Sequence, residues 1–149
     1  MIVQREVLMD KKMFIVKNDE IQDALLNSTR QYLTGKLALP QELNYFEDDK
    51  LEIGITSYSD ASAEMPHYHT KAHEYQFLVS GVTEYLDLDT GETYRFEQGD
   101  FYVTPPGIKY AQRSLPGTTI FFIKSPGGND KVSIETTQEV REWMNQQVK

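Results

Sequence analysis

Residues 66–81 read PHYHTKAHEYQFLVSG, and this stretch decides how the rest of the chain is interpreted. It contains all three histidines of the protein and a glutamate directly after the last: His67, His69, His73 and Glu74. The residues from Tyr75 to Val79 are predicted to form a strand, which a Ser-Gly turn closes. Histidines and a carboxylate at a junction between two strands can face one centre, as they do where proteins hold a divalent metal ion.

The overall composition narrows the kind of protein that can surround this cluster. The 149 residues suffice for one hydrophobic core, and 39% hydrophobic residues are typical of a folded chain. A net charge of −8 argues against a nucleic-acid surface, which needs clustered Lys and Arg. The chain has no cysteine, so disulfides and thiolate zinc sites are excluded. A metal site must therefore use nitrogen and oxygen ligands.

The first residues carry no targeting signal that we can identify. MIVQREVLMDKKMF has charges scattered through it and lacks the apolar centre of a signal peptide. No apolar run approaches the length that crosses a bilayer. We therefore expect a soluble cytoplasmic protein without a membrane partner.

Residues 1–45 are predicted to form an N-terminal arm. Residues 1–17 favour a short strand at each end, around Ile2–Leu8 and Met13–Val16, and Asn18 or Asp19 can cap a following helix. The apolar face of that helix is predicted to consist of Ile21, Ala24, Leu25 and Leu26. Such an arm has apolar surface to bury, and the edges of a sheet accept added strands, so we expect a homodimer.

Residues 46–126 are predicted to form an all-β barrel, because the pattern changes to period two. Leu51, Ile53 and Ile55 alternate with more polar residues, as in a half-buried antiparallel strand. Turn residues then separate further short strands, which favours a sandwich or barrel with antiparallel pairing. The predicted strands are Tyr75–Val79, Val82–Leu88, Thr93–Phe96, Phe101–Thr104, Tyr110–Ser114 and Thr118–Lys124.

Residues 127–149 are predicted to end the single domain with an amphipathic helix. Thr136 and Glu139 have capping-box spacing. Val140, Trp143, Met144 and Val148 would then share one face of the helix. The tryptophan is expected to anchor this helix to the barrel.

Two motifs make the chain resemble the cupin superfamily. The first cupin motif, G-x5-H-x-H-x3,4-E-x6-G, is matched except at its leading glycine by Ala61, His67, His69, Glu74 and Gly81. The second, G-x5-P-x-G-x2-H-x3-N, is matched in part by Gly99, Pro105, Gly107, Tyr110 and Ser114, with Tyr110 in the histidine position and Ser114 in the asparagine position. The resemblance covers residues 50–125 and implies a jelly-roll barrel that holds a metal ion inside its mouth.

The alternation of side chains along the strands selects the predicted ligands. His67 and His69 are two residues apart and fall on one side of an extended strand. Glu74 begins the next strand and can close onto the same point. That phase directs His73 to the opposite side. If the motif is read with three intervening residues, His73 replaces Glu74 as the third ligand, and both readings stay open at this stage.

Tyr110 stands where the resemblance implies a fourth ligand. Two histidines and a carboxylate with open positions are typical of non-haem Fe(II) sites, and three ligands plus water are typical of catalytic zinc. Tyr110 could be a phenolate ligand, a proton donor or a hydrogen-bonding group. A phenol has a pKa near 10, which favours the last two roles. The alternative for the whole cluster is a metal-free cupin whose histidines only form hydrogen bonds.

The predicted cavity wall is polar and uncharged. Side chains that share the inward face are expected to bind substrate, namely Gln76, Tyr102, Tyr110 and Gln112. Such a wall suits a small polar molecule such as a sugar or hydroxy acid. Arg113 and Lys124 could meet an anionic substrate, but we expect both on the solvated surface.

The sequence thus predicts a divalent metal ion (Fe, Zn, Mn or Ni) and an enzyme that acts on a small carbohydrate-like molecule. Isomerisation or epimerisation is the first hypothesis, with Tyr110 and Gln76 assisting proton transfer or orientation. An Fe(II) dioxygenase is the second hypothesis. A ligand-binding or sensing cupin without turnover is the third.

Overall fold

The computed structural model describes residues 12–146 and 148, and it confirms an all-β fold with a short helix near each end. Eleven strands and two helices occur in this part of the chain. Their bounds in chain order are α1 (Asn18–Asn27), β1 (Arg30–Gly35), β2 (Phe46–Glu47), β3 (Glu52–Tyr58), β4 (Ser62–His69), β5 (His73–Ser80), β6 (Val82–Asp87), β7 (Thr93–Glu97), β8 (Phe101–Thr104), β9 (Tyr110–Ser114), β10 (Thr118–Ser125), β11 (Lys131–Ser133) and α2 (Gln138–Asn145). No helix in the described residues is long and apolar enough to span a membrane.

The strands form two stacked sheets with a jelly-roll order. The six-stranded sheet runs β2-β1-β3-β10-β5-β8, and the five-stranded sheet runs β11-β4-β9-β6-β7. All neighbouring strands are antiparallel except β1 and β2. Consecutive strands β3 to β6 alternate between the two sheets. The end of one strand and the start of the next therefore lie in opposite sheets, and their inward side chains can meet in the interior.

The interior of the six-stranded sheet is unusually polar. In β3 the buried positions are Glu52, Gly54, Thr56 and Tyr58, whereas Ile53 and Ile55 lie on the outer face and are half-buried. The usual alternation would direct the isoleucines inward. The period-two pattern therefore predicted the strand correctly, but the polar set faces inside because the two sheets enclose a polar cavity.

The N-terminal arm differs from its prediction in two ways. Helix α1 forms as predicted and buries Ala24, but Leu26 is 84% exposed and does not belong to the packed face. Residues 13–16 have no strand, and the strand predicted around Ile2–Leu8 lies outside the described residues. The strand of the arm is instead β1, which follows the helix and pairs with β3 of the same chain.

The C-terminal helix is anchored as predicted. Its cap is Thr137 and not the predicted Thr136, because the side chain of Thr137 accepts a hydrogen bond from the amide of Val140. The ring of Trp143 stacks on the guanidinium of Arg113 in β9, 4.2 Å from its centre. The helix ends at Asn145, so Val148 is not part of its face.

A glycine in β3 makes room for the aromatic floor of the cavity. A Cβ on Gly54 would lie 2.4 Å from the ring of Phe122, which packs edge-on against Tyr32 at 5.9 Å. Real carbon atoms do not approach this closely, so the ring occupies the volume that any side chain at this position would need.

We expect Gly54→Ala to lower the free energy of unfolding by about 1–3 kcal/mol, because Phe122 must shift to admit a methyl group. Urea denaturation followed by circular dichroism measures this. Ala63→Val, at an exposed position of β4, is the matched control and should change stability by less than about 0.5 kcal/mol. An unchanged urea midpoint for Gly54→Ala would show that Phe122 does not fill this volume.

Candidate metal site

The end of β4 and the start of β5 bring the residues of the first motif to one cavity. His67 and His69 end β4 and are both buried, with 3% and 6% of their surfaces exposed. Glu74 lies at the start of β5, where burial alternates so that Gln76 faces the interior. His73 is exposed on the opposite side. The cavity has a volume of about 110 Å³, and His67, His69 and Glu74 all line it.

Hydrogen bonds orient both histidine rings in the same way. The Nδ1 atom of His67 lies 2.9 Å from the carbonyl oxygen of Met65, and Nδ1 of His69 lies 2.8 Å from a carboxylate oxygen of Asp130. Because both partners are acceptors, we assign the ring protons to Nδ1. Each Nε2 atom then keeps a free lone pair, as a metal ligand requires. Burial also lowers the pKa of His67, which favours its neutral form.

Asp130 holds the ring of His69 from behind. Its second oxygen accepts hydrogen bonds from the backbone amides of Lys71 and Ala72. Burial would raise the pKa of Asp130, but these bonds and the His69 ring outweigh it and hold that pKa well below its ordinary value. The sequence alone did not identify Asp130 as part of the site, because the pairing of β11 with β4 brings it to His69.

Glu74 is held by two neutral donors. Its Oε2 atom accepts hydrogen bonds from the hydroxyl of Tyr110 and the amide of Gln76, both at 3.2 Å. Gln76 in turn accepts a bond from the hydroxyl of Tyr85 at 2.7 Å. The Oε1 atom stays directed towards Nε2 of His69, 3.8 Å away. Burial raises the pKa of Glu74, so a cation nearby would stabilise its ionised form.

Tyr110 is a neutral phenol in this arrangement. Burial, reinforced by the nearby Glu74 carboxylate, raises the pKa of Tyr110 well above its ordinary value. Its hydroxyl therefore serves as a hydrogen-bond donor to Glu74. This geometry favours the hydrogen-bonding role over the phenolate ligand that sequence analysis left open.

The other predicted substrate-binding residues divide into two groups. Gln112 lines the cavity and donates a hydrogen bond to Thr83 at 2.9 Å. Tyr102 does not line it, because its ring stacks on Phe96 with centroids 3.8 Å apart and lies behind Tyr85. Tyr102 is therefore not part of the lining of this cavity, and its contact with substrate stays a prediction.

A carboxylate that sequence analysis missed also reaches the cavity. The pairing of β4 with β9 contains a bulge, so Glu64 lies opposite Gln112 while His67 lies opposite Tyr110. Both glutamate and histidine thus face inward although they are three residues apart, which strict alternation forbids. A bulge has no clear signature in a single sequence, and this is why Glu64 was overlooked.

Cations make the cavity charged, contrary to the prediction of an uncharged wall. Arg30 of β1 enters it, donating to Thr56 at 2.9 Å and pairing with Glu64 at 3.2 Å. Lys124 is buried and pairs with Glu52 at 3.7 Å, so its predicted place on the surface is wrong. Arg113 lies outside the cavity and pairs with Glu84. Arg30 was missed because β1 was assigned to an arm outside the barrel.

The donor set fits a divalent cation in its chemistry. In the described residues no three His, Asp or Glu side chains are spaced closely enough to be recognised as a metal site. However, Nε2 of His69 is buried without a hydrogen-bond partner, which is costly for a polar atom and is relieved by coordination. Two imidazoles and one carboxylate suit Zn, Fe, Mn or Ni. The assignment of His67, His69 and Glu74 as ligands stays a prediction.

Comparisons with known proteins identify the fold. The sequence matches no family model and no curated protein. An uncharacterized conserved protein with a double-stranded β-helix domain from Klebsiella pneumoniae is similar in structure, with a TM-score of 0.58 and 16% identity over 84% of this chain and 100% of that one. KdgF from Halomonas sp. has a TM-score of 0.52 and 20% identity over 68% of this chain and 80% of its own. The DMSP lyase DddQ from Ruegeria pomeroyi has a TM-score of 0.54 and 20% identity over 72% of this chain and 50% of its own.

At these identities the likeness establishes the fold alone. The chain has the double-stranded β-helix fold of cupin type, as its two motifs predicted. Chemistry must be argued from the site, because one fold supports many activities.

We expect protein purified without an affinity tag to contain one divalent metal ion per chain, and His67→Ala or Glu74→Ala to lose it. His73→Ala is the matched control, because this histidine faces away from the cavity and should leave metal content unchanged. Asp130→Asn should weaken metal affinity by about 10–100-fold through loss of ring orientation. Mass spectrometry of metals measures all four variants, and metal loss in His73→Ala alone would contradict the ligand assignment.

Proposed function

We propose that this protein is a metal-dependent enzyme that moves a proton on a small, anionic, polar molecule, as an isomerase or epimerase does. The observation that supports this most directly is the cavity lined by His67, His69 and Glu74, together with the buried and unpartnered Nε2 of His69. A divalent ion there would supply a Lewis acid that polarises a carbonyl or hydroxyl of the substrate.

The protein's own groups divide the remaining work. Glu64 is the carboxylate best placed to accept a proton from substrate, because Glu74 is assigned to the metal. Burial raises the pKa of Glu64, but the charges of Arg30, His67 and Lys131 together hold that pKa below its ordinary value, so Glu64 is ionised and able to accept a proton. Tyr110 keeps its proton and orients Glu74. Gln76 cannot exchange a proton, so its bonds to Glu74 and Tyr85 support a positioning role rather than a catalytic one.

The charges of the cavity favour an anionic substrate. Arg30, Lys124 and Lys131 balance Glu52, Glu64 and Glu74 around the lining, and Asp130 adds one negative charge behind His69. A divalent cation would change the net charge of this set from −1 to +1. In addition, the guanidinium of Arg30 lines the cavity, where it can bind a substrate carboxylate. A hydroxy acid or sugar acid has the required chemistry.

Elimination is a second reaction that starts in the same way. Removal of a proton beside a carbonyl or carboxylate precedes both epimerisation and loss of a leaving group. A protein of similar fold, DddQ, is a DMSP lyase, so elimination is kept as the alternative reaction. The dioxygenase and the non-catalytic sensor stay predictions from the sequence, and no further observation favours them.

We expect the metal-loaded protein to exchange a substrate C–H for deuterium in D2O, measured by proton NMR on a panel of sugars and the matching sugar acids. Each sugar acid should have a lower KM than the matching neutral sugar, because Arg30 and Lys124 attract its carboxylate. Glu64→Gln should reduce exchange by about 100-fold or more with metal content unchanged. Asp60→Asn, at an exposed position, is the control and should have no effect.

Two outcomes would contradict this proposal. Full exchange activity in Glu64→Gln would remove the carboxylate from the reaction. Oxygen consumption with Fe(II), in place of C–H exchange, would identify a dioxygenase instead.

A further inference from the structure

The outer face of the six-stranded sheet carries two continuous rows of apolar side chains. The rows cross four neighbouring strands, β3, β10, β5 and β8, in the order given by the strand registers. One row is Ile53–Ile123–Tyr75–Val103, and the other is Ile55–Phe121–Phe77–Phe101. Side chains directly opposite on neighbouring strands touch, so each row forms an unbroken ridge.

These ridges are exposed to solvent where the sheet ends. Phe101 is 62% exposed and Phe77 is 43% exposed. The outward positions of the four strands include no Asp, Glu, Lys or Arg, although these residues make up 26% of the chain. An antiparallel sheet with one solvated face normally places polar residues on that face. Here the polarity is inverted, with polar residues inside and apolar residues outside.

We propose that this apolar face binds the same face of a second copy of the chain. The four strands hold 7, 8, 8 and 4 residues in sheet order, which gives a face of about 440 Å² in projection, more than half of the about 800 Å² per partner that stable complexes bury. Each molecule carries a net charge of −8, so two copies repel one another over most of their surfaces. The uncharged face is where that repulsion is weakest and apolar burial is greatest.

This surface differs from the arm that the sequence predicted to join two copies. Phe14, near the start of the described chain, packs on Phe46 of β2 at 5.8 Å. Strand β2 is the opposite edge of the sheet from β8, five strand spacings or about 24 Å away.

Sedimentation equilibrium from 1 to 100 µM tests the proposal on the full chain. We expect a dimer for the wild type, and Phe101→Lys and Phe77→Lys should each raise the dimer Kd by at least about tenfold, because a charge must be buried in an apolar contact. Leu26→Lys, on α1 and 84% exposed, is the matched control and should leave the Kd unchanged. Removal of residues 1–11 should also leave it unchanged.

Hydrogen exchange on the wild-type protein tests the same contact without relying on the folding of a variant. In the wild type, amides of β5 and β8 should lose protection on dilution as the dimer dissociates. A monomer at 100 µM would overturn the proposal, as would a dimer that both lysine variants leave intact. Loss of the dimer on removing residues 1–11 would show that the arm, not this face, joins the copies.

Discussion

The burial of polar side chains inside the double-stranded β-helix is the constraint on which the rest of this structure depends. A polar atom removed from water costs free energy unless it finds a partner. Most buried groups of the interior do so: Gln76 bonds to Tyr85 and Glu74, and Gln112 bonds to Thr83. In the described part of the chain, Nε2 of His69 is the one cavity-lining side-chain atom found buried and unpartnered. A cation at this point would complete the network.

The same constraint explains why the outer face of the six-stranded sheet is apolar. Strand β5 directs Glu74 and Gln76 into the cavity, so its alternate residues Tyr75 and Phe77 must face outward. A continuous apolar patch of this kind on an outer face marks a surface that contacts another molecule. The polar cavity and the proposed contact between two copies are therefore two consequences of one alternating pattern.

Sequence reasoning succeeded where a local rule applied and failed where pairing between distant segments decided the outcome. Strands β8 and β9 were predicted to the residue, because Gly and Pro turns bound them and alternation is local. The inward phase of Glu74 also followed from alternation alone. Glu64 was missed because a bulge shifts its phase. Arg30 and Asp130 were missed because they reach the site through β1 and β11, whose pairing partners no short pattern reveals. The inverted polarity of β3 was invisible for the same reason, since a period-two pattern does not say which face is inside.

The central claim is that His67, His69 and Glu74 hold one metal ion through Nε2, Nε2 and a carboxylate oxygen. Anomalous X-ray diffraction at the metal edge, on crystals grown with Co²⁺, tests it most directly. We expect a single strong peak in the cavity, about 2.0–2.2 Å from both Nε2 atoms and from Glu74. A peak bound to His73 outside the cavity, or no peak beside His69 at saturating metal, would contradict it.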